Sequence, residues 1–361
     1  MPRMLLVIIP IVMMIQQAIA KLFTFTSLTA DEAEAVMNEI MVGAATPAQI
    51  GAYLAALHMK GETADEIVGS MRALRAHMVR IPCHQPRLID IVGTGGDKSN
   101  TFNISTTAAF VVAGAGVPVA KHGNRAASSQ SGSADVLNAL GVKVDLTPEQ
   151  VARCIDEIGI GFAFAPLHHP AMKHAAGPRR EIGQRTIFNI IGPPSNPALA
   201  KHHLLGVWDR RYVRLMAEVL LQLETEHALV VSSASPQVAG IDELTTVGPN
   251  TVAEVRNGQI TEYVLDAVDF GFEPTTLDDL SGGTPDFNAA ITRAILSGED
   301  LPARTNVVLL NAGAALYAAD AAPDIATGIE MARESIRSGA ALRKLEALIE
   351  LSQRLGSEPK A

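Results

Sequence analysis

The chain has 361 residues, 48% hydrophobic but only 4% aromatic, so it can bury one large core or two ordinary ones built from Ala, Val, Ile, Leu and Met. A formal net charge of −9 argues against a general nucleic-acid binder, which carries a basic field, yet leaves room for a local polyanion site. Cys83 and Cys154 lie far apart without Cys-x-x-Cys spacing, which argues against a disulfide framework or zinc site and for a reducing compartment.

Arg3 precedes an apolar run, Met4 to Ile15, broken by Pro10, and Ala18-Ile19-Ala20 resembles a signal-peptidase site. The run is shorter than the roughly 20 residues a membrane span needs. A secretory signal and an extension ahead of an apolar first helix both fit. The second is preferred, with Met13 or Met14 as alternative starts and 1–12 as the extension.

Three helices then carry start signals. Thr29-Ala30-Asp31-Glu32 spells a capping box, and Ala33, Val36, Met37, Ile40 and Met41 recur on one helical face. Thr46-Pro47-Ala48-Gln49 opens the second helix, with Pro at its first position, and Thr63-Ala64-Asp65-Glu66 opens the third. A helical domain is expected over 13–87, with Pro82 and Pro86 marking its exit.

At Leu88 the texture changes. Leu88 to Val92, Val117 to Ala120, Phe162 to Ala165 and Ala228 to Val231 read as strands, with helices at Ala134 to Leu140 and after Thr147-Pro148. Val252 to Val255 and Ile260 to Val264 flank Asn257-Gly258, a hairpin signal, and the tail from about 286 is helical. The expected fold is therefore a small all-helical N-terminal domain plus a larger α/β domain with a central, mostly parallel sheet flanked by helices.

Three clusters carry chemistry. Val92 to Thr106 runs from a strand through Gly93, Gly95 and Gly96 to a helix starting near Ser105. Glycines let backbone N–H groups approach a polyanion, and the helix N-terminus adds free donors and a positive dipole end. Asp, Asn, Ser and Thr crowd the same run, and the hydroxyls can ligate Mg²⁺. Lys121-His122-Gly123-Asn124-Arg125-Ala126-Ala127-Ser128-Ser129 ends another strand with two cations and two hydroxyls. Loops at the carboxyl ends of neighbouring strands are where open α/β sheets bind ligands. Asp242-Glu243 follows a Gly turn and suits Mg²⁺, which takes one or two carboxylates plus substrate phosphates.

Together these clusters resemble the anthranilate phosphoribosyltransferases, from about Ala30 to the C-terminus. The match includes Gly61-Glu62-Thr63, Gly93 to Asp97, Asn103 to Thr106, Lys121 to Arg125 and Ser131 to Leu137. It continues through His169-Pro170-Ala171-Met172, Arg185 to Asn189, Asn196-Pro197 and Asp242-Glu243. The resemblance implies transfer of the phosphoribosyl group of phosphoribosyl pyrophosphate (PRPP) to anthranilate in tryptophan biosynthesis, with Mg²⁺, two ions being expected. It implies a helical domain completed by an excursion over roughly 176–202, an α/β PRPP-binding domain over 88–175 and 203–361, and a homodimer formed through the helical domain. A cytosolic donor favours a cytoplasmic enzyme, with neither a nucleic acid nor a membrane as partner.

Carried over by motif, Gly93, Gly96, Asp97, Thr101, Asn103, Ile104, Ser105 and Thr106 should contact PRPP. Lys121, His122, Gly123, Asn124, Arg125, Ala126, Ala127, Ser128, Ser129 and Ser133 should finish that site. Ser105, Asp242 and Glu243 should hold the metal, and Asn124 and Arg179, with Gly93 nearby, should meet anthranilate. A guanidinium fork matches the anthranilate carboxylate. On chemistry alone Arg180 would serve as well as Arg179. No side chain is assigned as general acid or base. Departures from the family are Pro194-Ser195 for Leu-Thr, Ser232-Ser233 after the strand, Lys98 where small residues are usual, and the apolar N-terminus. A pyrimidine nucleoside phosphorylase would share the fold without needing Mg²⁺, and a non-catalytic nucleic-acid-binding relative would show a basic face and degraded loops.

Overall fold

The computed structural model describes residues 14–126, 130–299 and 301–358. Two compact units emerge. One comprises the described residues up to His77 together with Ala171–Phe188, and the other comprises Met78–Pro170 with the described residues from Asn189 onward. The excursion expected over 176–202 shares 176–188 with the first unit.

The first unit is helical: Met14–Leu22, Ala30–Met41, Pro47–Lys60 and Ala64–Ala76, with Lys173–Ile182 from the excursion. The three threonines cap as their spacing indicates. Each hydroxyl accepts the N–H three residues on, and Glu32, Gln49 and Glu66 return the bond. Glu66 is fully buried, yet it is satisfied by the Leu28 and Thr63 N–H groups and by Lys60 Nζ at 2.9 Å. Ala18, inside the stretch that resembles a peptidase site, is buried on the first helix beside Ile15 and Leu22. The extension 1–12, and Met13 as a start, lie outside the described residues.

The second unit holds a seven-stranded sheet. Its strands are β1 Ile89–Gly93, β2 Val119–Gly123, β3 Ile160–Phe164, β4 His202–Gly206, β5 His227–Ser233, β6 Asn250–Arg256 and β7 Gln259–Leu265. The order is β3-β2-β1-β4-β5-β6-β7. β1 to β5 are parallel, and β6 and β7 add an antiparallel hairpin. Asn257 and Gly258, at φ 51° and 74°, make the hairpin turn, as the Asn-Gly signal requires. Helices flank the sheet: Arg211–Gln222 packs on β5, β6 and β7, while Ile104–Gly114 and Pro302–Ala318 pack together against the parallel strands. The apolar side chains of Ile104–Gly114 and Pro302–Ala318 join those of the strands in one continuous core. From β1 the chain steps outward to β2 and β3, then returns to β4 and moves the other way. The reversal leaves a crevice between the carboxyl ends of β1 and β4, the usual ligand position in such sheets.

Candidate active site

β1 ends at Gly93. The next turn places Gly95, Gly96, Lys98 and Asn100 at φ 73°, 67°, 66° and 54°. Four left-handed residues in six coil the backbone tightly, and glycine takes the first two without a Cβ penalty. The Asp97 carboxylate steadies the turn by accepting the Ser99 N–H at 3.0 Å. Thr101 bridges to Ser281, and the chain enters the helix Ile104–Gly114 at Asn103. The Asn103 amide donates to the Ser131 carbonyl at 3.3 Å and accepts from Asn288 Nδ2 at 2.9 Å. Ile104 and Thr106 bury their side chains, while Ser105 is only half-buried on the first turn.

At the end of β2, Lys121 is a buried residue. Its ammonium donates to the Ile91 carbonyl at 2.6 Å and stands 3.5 Å from Ser105 Oγ. Burial pulls its pKa down, and Asp90, Glu243 and Asp242 pull it back up. His122 is buried too, with Nδ1 3.2 Å from the Pro193 carbonyl; burial, and His169 next to it, hold its pKa at about 3, so the ring is neutral. Gly123 allows close packing, because a Cβ there would lie 2.1 Å from Ser133 Oγ. Asn124 is exposed, and its carbonyl accepts from Ser133 Oγ at 3.3 Å. Arg125, expected as a phosphate cation, pairs with Asp135 at 3.0 Å. The other Asp135 oxygen takes the Ala126 and Gly132 N–H groups. Ala127, Ser128 and Ser129 lie outside the described residues.

The third cluster reaches the same crevice. Ser233 and Ile241 exchange backbone hydrogen bonds at 3.0 Å, and the single proton of Ser233 Oγ faces both the Glu243 carbonyl at 2.5 Å and Asn250 Oδ1. Asn311 brackets Leu244, accepting its N–H at 3.1 Å and donating to its carbonyl at 2.7 Å. So held, the Asp242 carboxylate accepts the Gly95 N–H at 2.5 Å, and Glu243 accepts the Ser105 N–H at 3.1 Å. A carboxylate at a helix N-terminus is favoured by the free donors and the dipole. Gly93 and Gly206 are partners in the sheet register, and they make this approach possible. A Cβ at Gly93 would lie 2.4 Å from Asp242 Oδ2, and one at Gly206 only 1.6 Å from the Asp242 carbonyl oxygen.

Burial raises the pKa of Asp242 well above the ordinary carboxylate range, and the neighbouring Asp97 and Glu243 raise it further. Burial likewise lifts Glu243 to about 7, against the pull of Lys121. Crowded buried carboxylates of this kind favour a cation. Asp242, Glu243 and the Ser105 hydroxyl form an all-oxygen set that fits a hard ion such as Mg²⁺. Among the described residues no group of three or more His, Cys, Asp and Glu side chains is arranged to hold a metal unaided.

Two family descriptions match the chain: the glycosyl transferase family helical bundle domain over residues 16–78, and the glycosyl transferase family a/b domain over residues 85–342. The chain is 53% identical over 341 residues to the anthranilate phosphoribosyltransferase of Desulforudis audaxviator, covering 94% of this chain and 97% of that one. The chain belongs to the anthranilate phosphoribosyltransferase family. The crystal structure of the Thermus thermophilus enzyme superposes with a TM-score of 0.86 at 41% identity, covering 93% of this chain and 99% of that one. The Saccharomyces cerevisiae enzyme in complex with PRPP and Mg superposes with a TM-score of 0.84 at 26% identity, covering 94% and 98%.

The fold separates the two arginines that the sequence leaves equivalent in this phosphoribosyltransferase. On Lys173–Ile182, Arg180 is exposed, whereas Arg179 is half-buried with its guanidinium carbon 5.0 Å from the Phe188 ring centroid. Sequence reasoning missed Asp90, Ser233 and Asn311 as supports of the site. Asp90 is wholly buried on β1, accepts the His122 N–H at 3.1 Å and faces Lys121. A lone Asp inside an apolar strand, and a lone Asn inside an Ala-rich helix, were the signals available.

Proposed function

We propose that PRPP binds at the carboxyl ends of β1 and β2, over the Gly93–Asp97 turn and the start of the helix Ile104–Gly114. The observation that carries this reading is the convergence of Gly95 N–H, Ser105, Lys121, Asp242 and Glu243 in the crevice beside Gly93 and Gly206. Backbone donors of the turn and the helix start, other than the Gly95 and Ser105 N–H groups that the two carboxylates take, meet the phosphate oxygens, and Lys121 adds positive charge. The remaining contacts carried over by motif, Thr101, Asn103 and the run from His122 to Ser133, belong to the same proposal.

Ser105, Asp242 and Glu243 would hold Mg²⁺, two ions being the proposed complement. Bound there, the metal would neutralise charge developing on the departing pyrophosphate. The chain positions the acceptor. Arg179 takes the anthranilate carboxylate in its guanidinium fork, and Asn124 and Gly93 border the aryl amine. That amine is neutral at pH 7, so attack on ribose C1 needs no strong base, and alignment supplies much of the rate. His122 fits this picture as a buried, uncharged ring rather than a proton carrier.

Loss of anthranilate fluorescence on mixing enzyme, PRPP and Mg²⁺ tests the reading. It should require all three, and no loss with pure, folded enzyme would refute it. We further propose a homodimer through the helical unit, which exposes Phe23, Phe25, Val42 and Met59. Sedimentation should give twice the 38.1 kDa chain mass, and a monomer at micromolar concentration would refute that assembly. We place the enzyme in the cytoplasm, where its donor is made. Among the described residues no helix is long and apolar enough to cross a membrane.

A further inference from the structure

Arg179 differs from the five other arginines that lie on aromatic rings: Arg304, over Phe287, donates to the Ser281 carbonyl at 3.0 Å, and the other four pair with carboxylates. Arg125, Arg211, Arg256 and Arg333 cover Phe164, Tyr212, Tyr317 and Phe272, and each also pairs with a carboxylate, from Asp135, Asp209, Asp320 and Glu330 respectively. Among the described residues no carboxylate pairs with Arg179. Burial is the cause that pulls its pKa down. Its planar face is therefore covered while its N–H edges stay uncommitted, the state in which a guanidinium can take a planar carboxylate through two parallel bonds. The ring beneath it is fixed: Phe188 is 2% exposed and its neighbour Ile187 is fully buried.

We propose that Phe188 is a positioning residue for the acceptor substrate, holding the Arg179 guanidinium plane so that its N–H edge meets the aryl carboxylate. The inference rests on the assignment of Arg179 to that carboxylate. The ring touches no reacting atom. It acts by removing rotational freedom from a long side chain before the substrate arrives, and by attraction between cation and ring face.

A kinetic double-mutant cycle tests the proposal, with KM for anthranilate and for PRPP as readouts and thermal melting as a check on folding. Phe188→Leu removes the ring, and Phe188→Met does so with an unbranched side chain that adapts to the gap if the Leu variant does not fold. Either should raise KM for anthranilate about 3- to 10-fold and leave KM for PRPP within about twofold. In an Arg179→Ala background the same change should add nothing further. Phe188→Tyr, which keeps the ring, should stay near wild type. An unchanged KM for anthranilate in the folded Leu or Met variant overturns the role of Phe188, as does an equal rise with or without Arg179. An unchanged KM in Arg179→Ala overturns the arginine assignment and the proposal with it.

Discussion

Gly93→Ala separates a glycine needed for substrate approach from one needed for metal-ligand placement. The new Cβ would lie 2.4 Å from Asp242 Oδ2, whereas ordinary contact begins near 3.4 Å, so the carboxylate must retreat by about 1 Å. The nearest obstructed atom ends a side chain that can rotate, and the Asp242 carbonyl oxygen, 3.0 Å from the Cβ, needs only a shift of a few tenths of an ångström, so the fold should survive with a loss of about 1–3 kcal/mol. Misplacement of a positioning group by that distance costs on the order of 10²-fold in rate, or about 2.7 kcal/mol of barrier. Gly206→Ala is the contrast. There the Cβ would meet the Asp242 backbone carbonyl at 1.6 Å, and no rotamer relieves it, so this variant should lose the fold or the whole 240–243 turn. The assay is anthranilate fluorescence depletion over a Mg²⁺ titration, with thermal melts of both variants. Gly93→Ala should melt as a folded enzyme, turn over about 10²-fold more slowly and need more Mg²⁺ for half-maximal rate. If it instead kept the wild-type Mg²⁺ dependence and lost only substrate affinity, the crowding of Asp242 would not be the reason for glycine at this position.

Ser233→Ala removes the hydroxyl that lies between the Glu243 carbonyl and Asn250 Oδ1, and should cost about 1 kcal/mol in a urea melt while raising the Mg²⁺ requirement; a normal Mg²⁺ titration would count against the clamp. Chelation should abolish turnover and added Mg²⁺ should restore it. The double variant Asp242→Asn, Glu243→Gln should fall by at least about 10²-fold and resist that rescue, and near wild-type turnover at saturating Mg²⁺ would reject these ligands. Burial raises Asp90 from 3.8 to about 6. A carboxyl raised on folding contributes its full stability below its unfolded value and loses it as pH climbs through the folded one, so this contribution declines between pH 3.8 and about 6, by about 3 kcal/mol at most. Asp90→Asn should lack that decline, so it should gain on wild type as pH rises from about 4.5 to about 7 in paired urea melts; a constant difference would refute the shift.

Features signalled by short-range pattern were legible in the sequence. Thr29, Thr46, Thr63 and Thr147 cap as their spacing indicated, and the apolar runs became β1, β2, β3 and β5. Strands buried on both faces read as unbroken hydrophobic stretches, which is why parallel strands are conspicuous. β4 was missed although it is central, because it opens on His202 and His203, residues without strand preference. Their polarity is absorbed by the carbonyls of Ala318 and Ala200, partners 116 and 3 residues away. The part Ser233 plays was not visible either, because the Glu243 carbonyl becomes its neighbour only through the turn that follows β5. The glycines of the first loop were visible as residues, but not the neighbour each of them makes room for.

The crevice where the strand order reverses lies between β1 and β4, and its floor is made where Gly93 faces Gly206 across the ladder. Neither residue projects a side chain there, so the segment from Gly240 to Glu243 can lie against bare backbone, and the Asp242 carboxylate comes within 2.5 Å of the Gly95 N–H. Each glycine in a strand costs about 0.5–1 kcal/mol relative to alanine. A larger residue at either position would displace the acidic pair toward solvent, where desolvation would no longer raise the pKa of Asp242 and Glu243 and the pull toward a divalent ion would weaken. On this argument the paired glycines would contribute to the affinity of the proposed metal site, although neither glycine can ligate an ion.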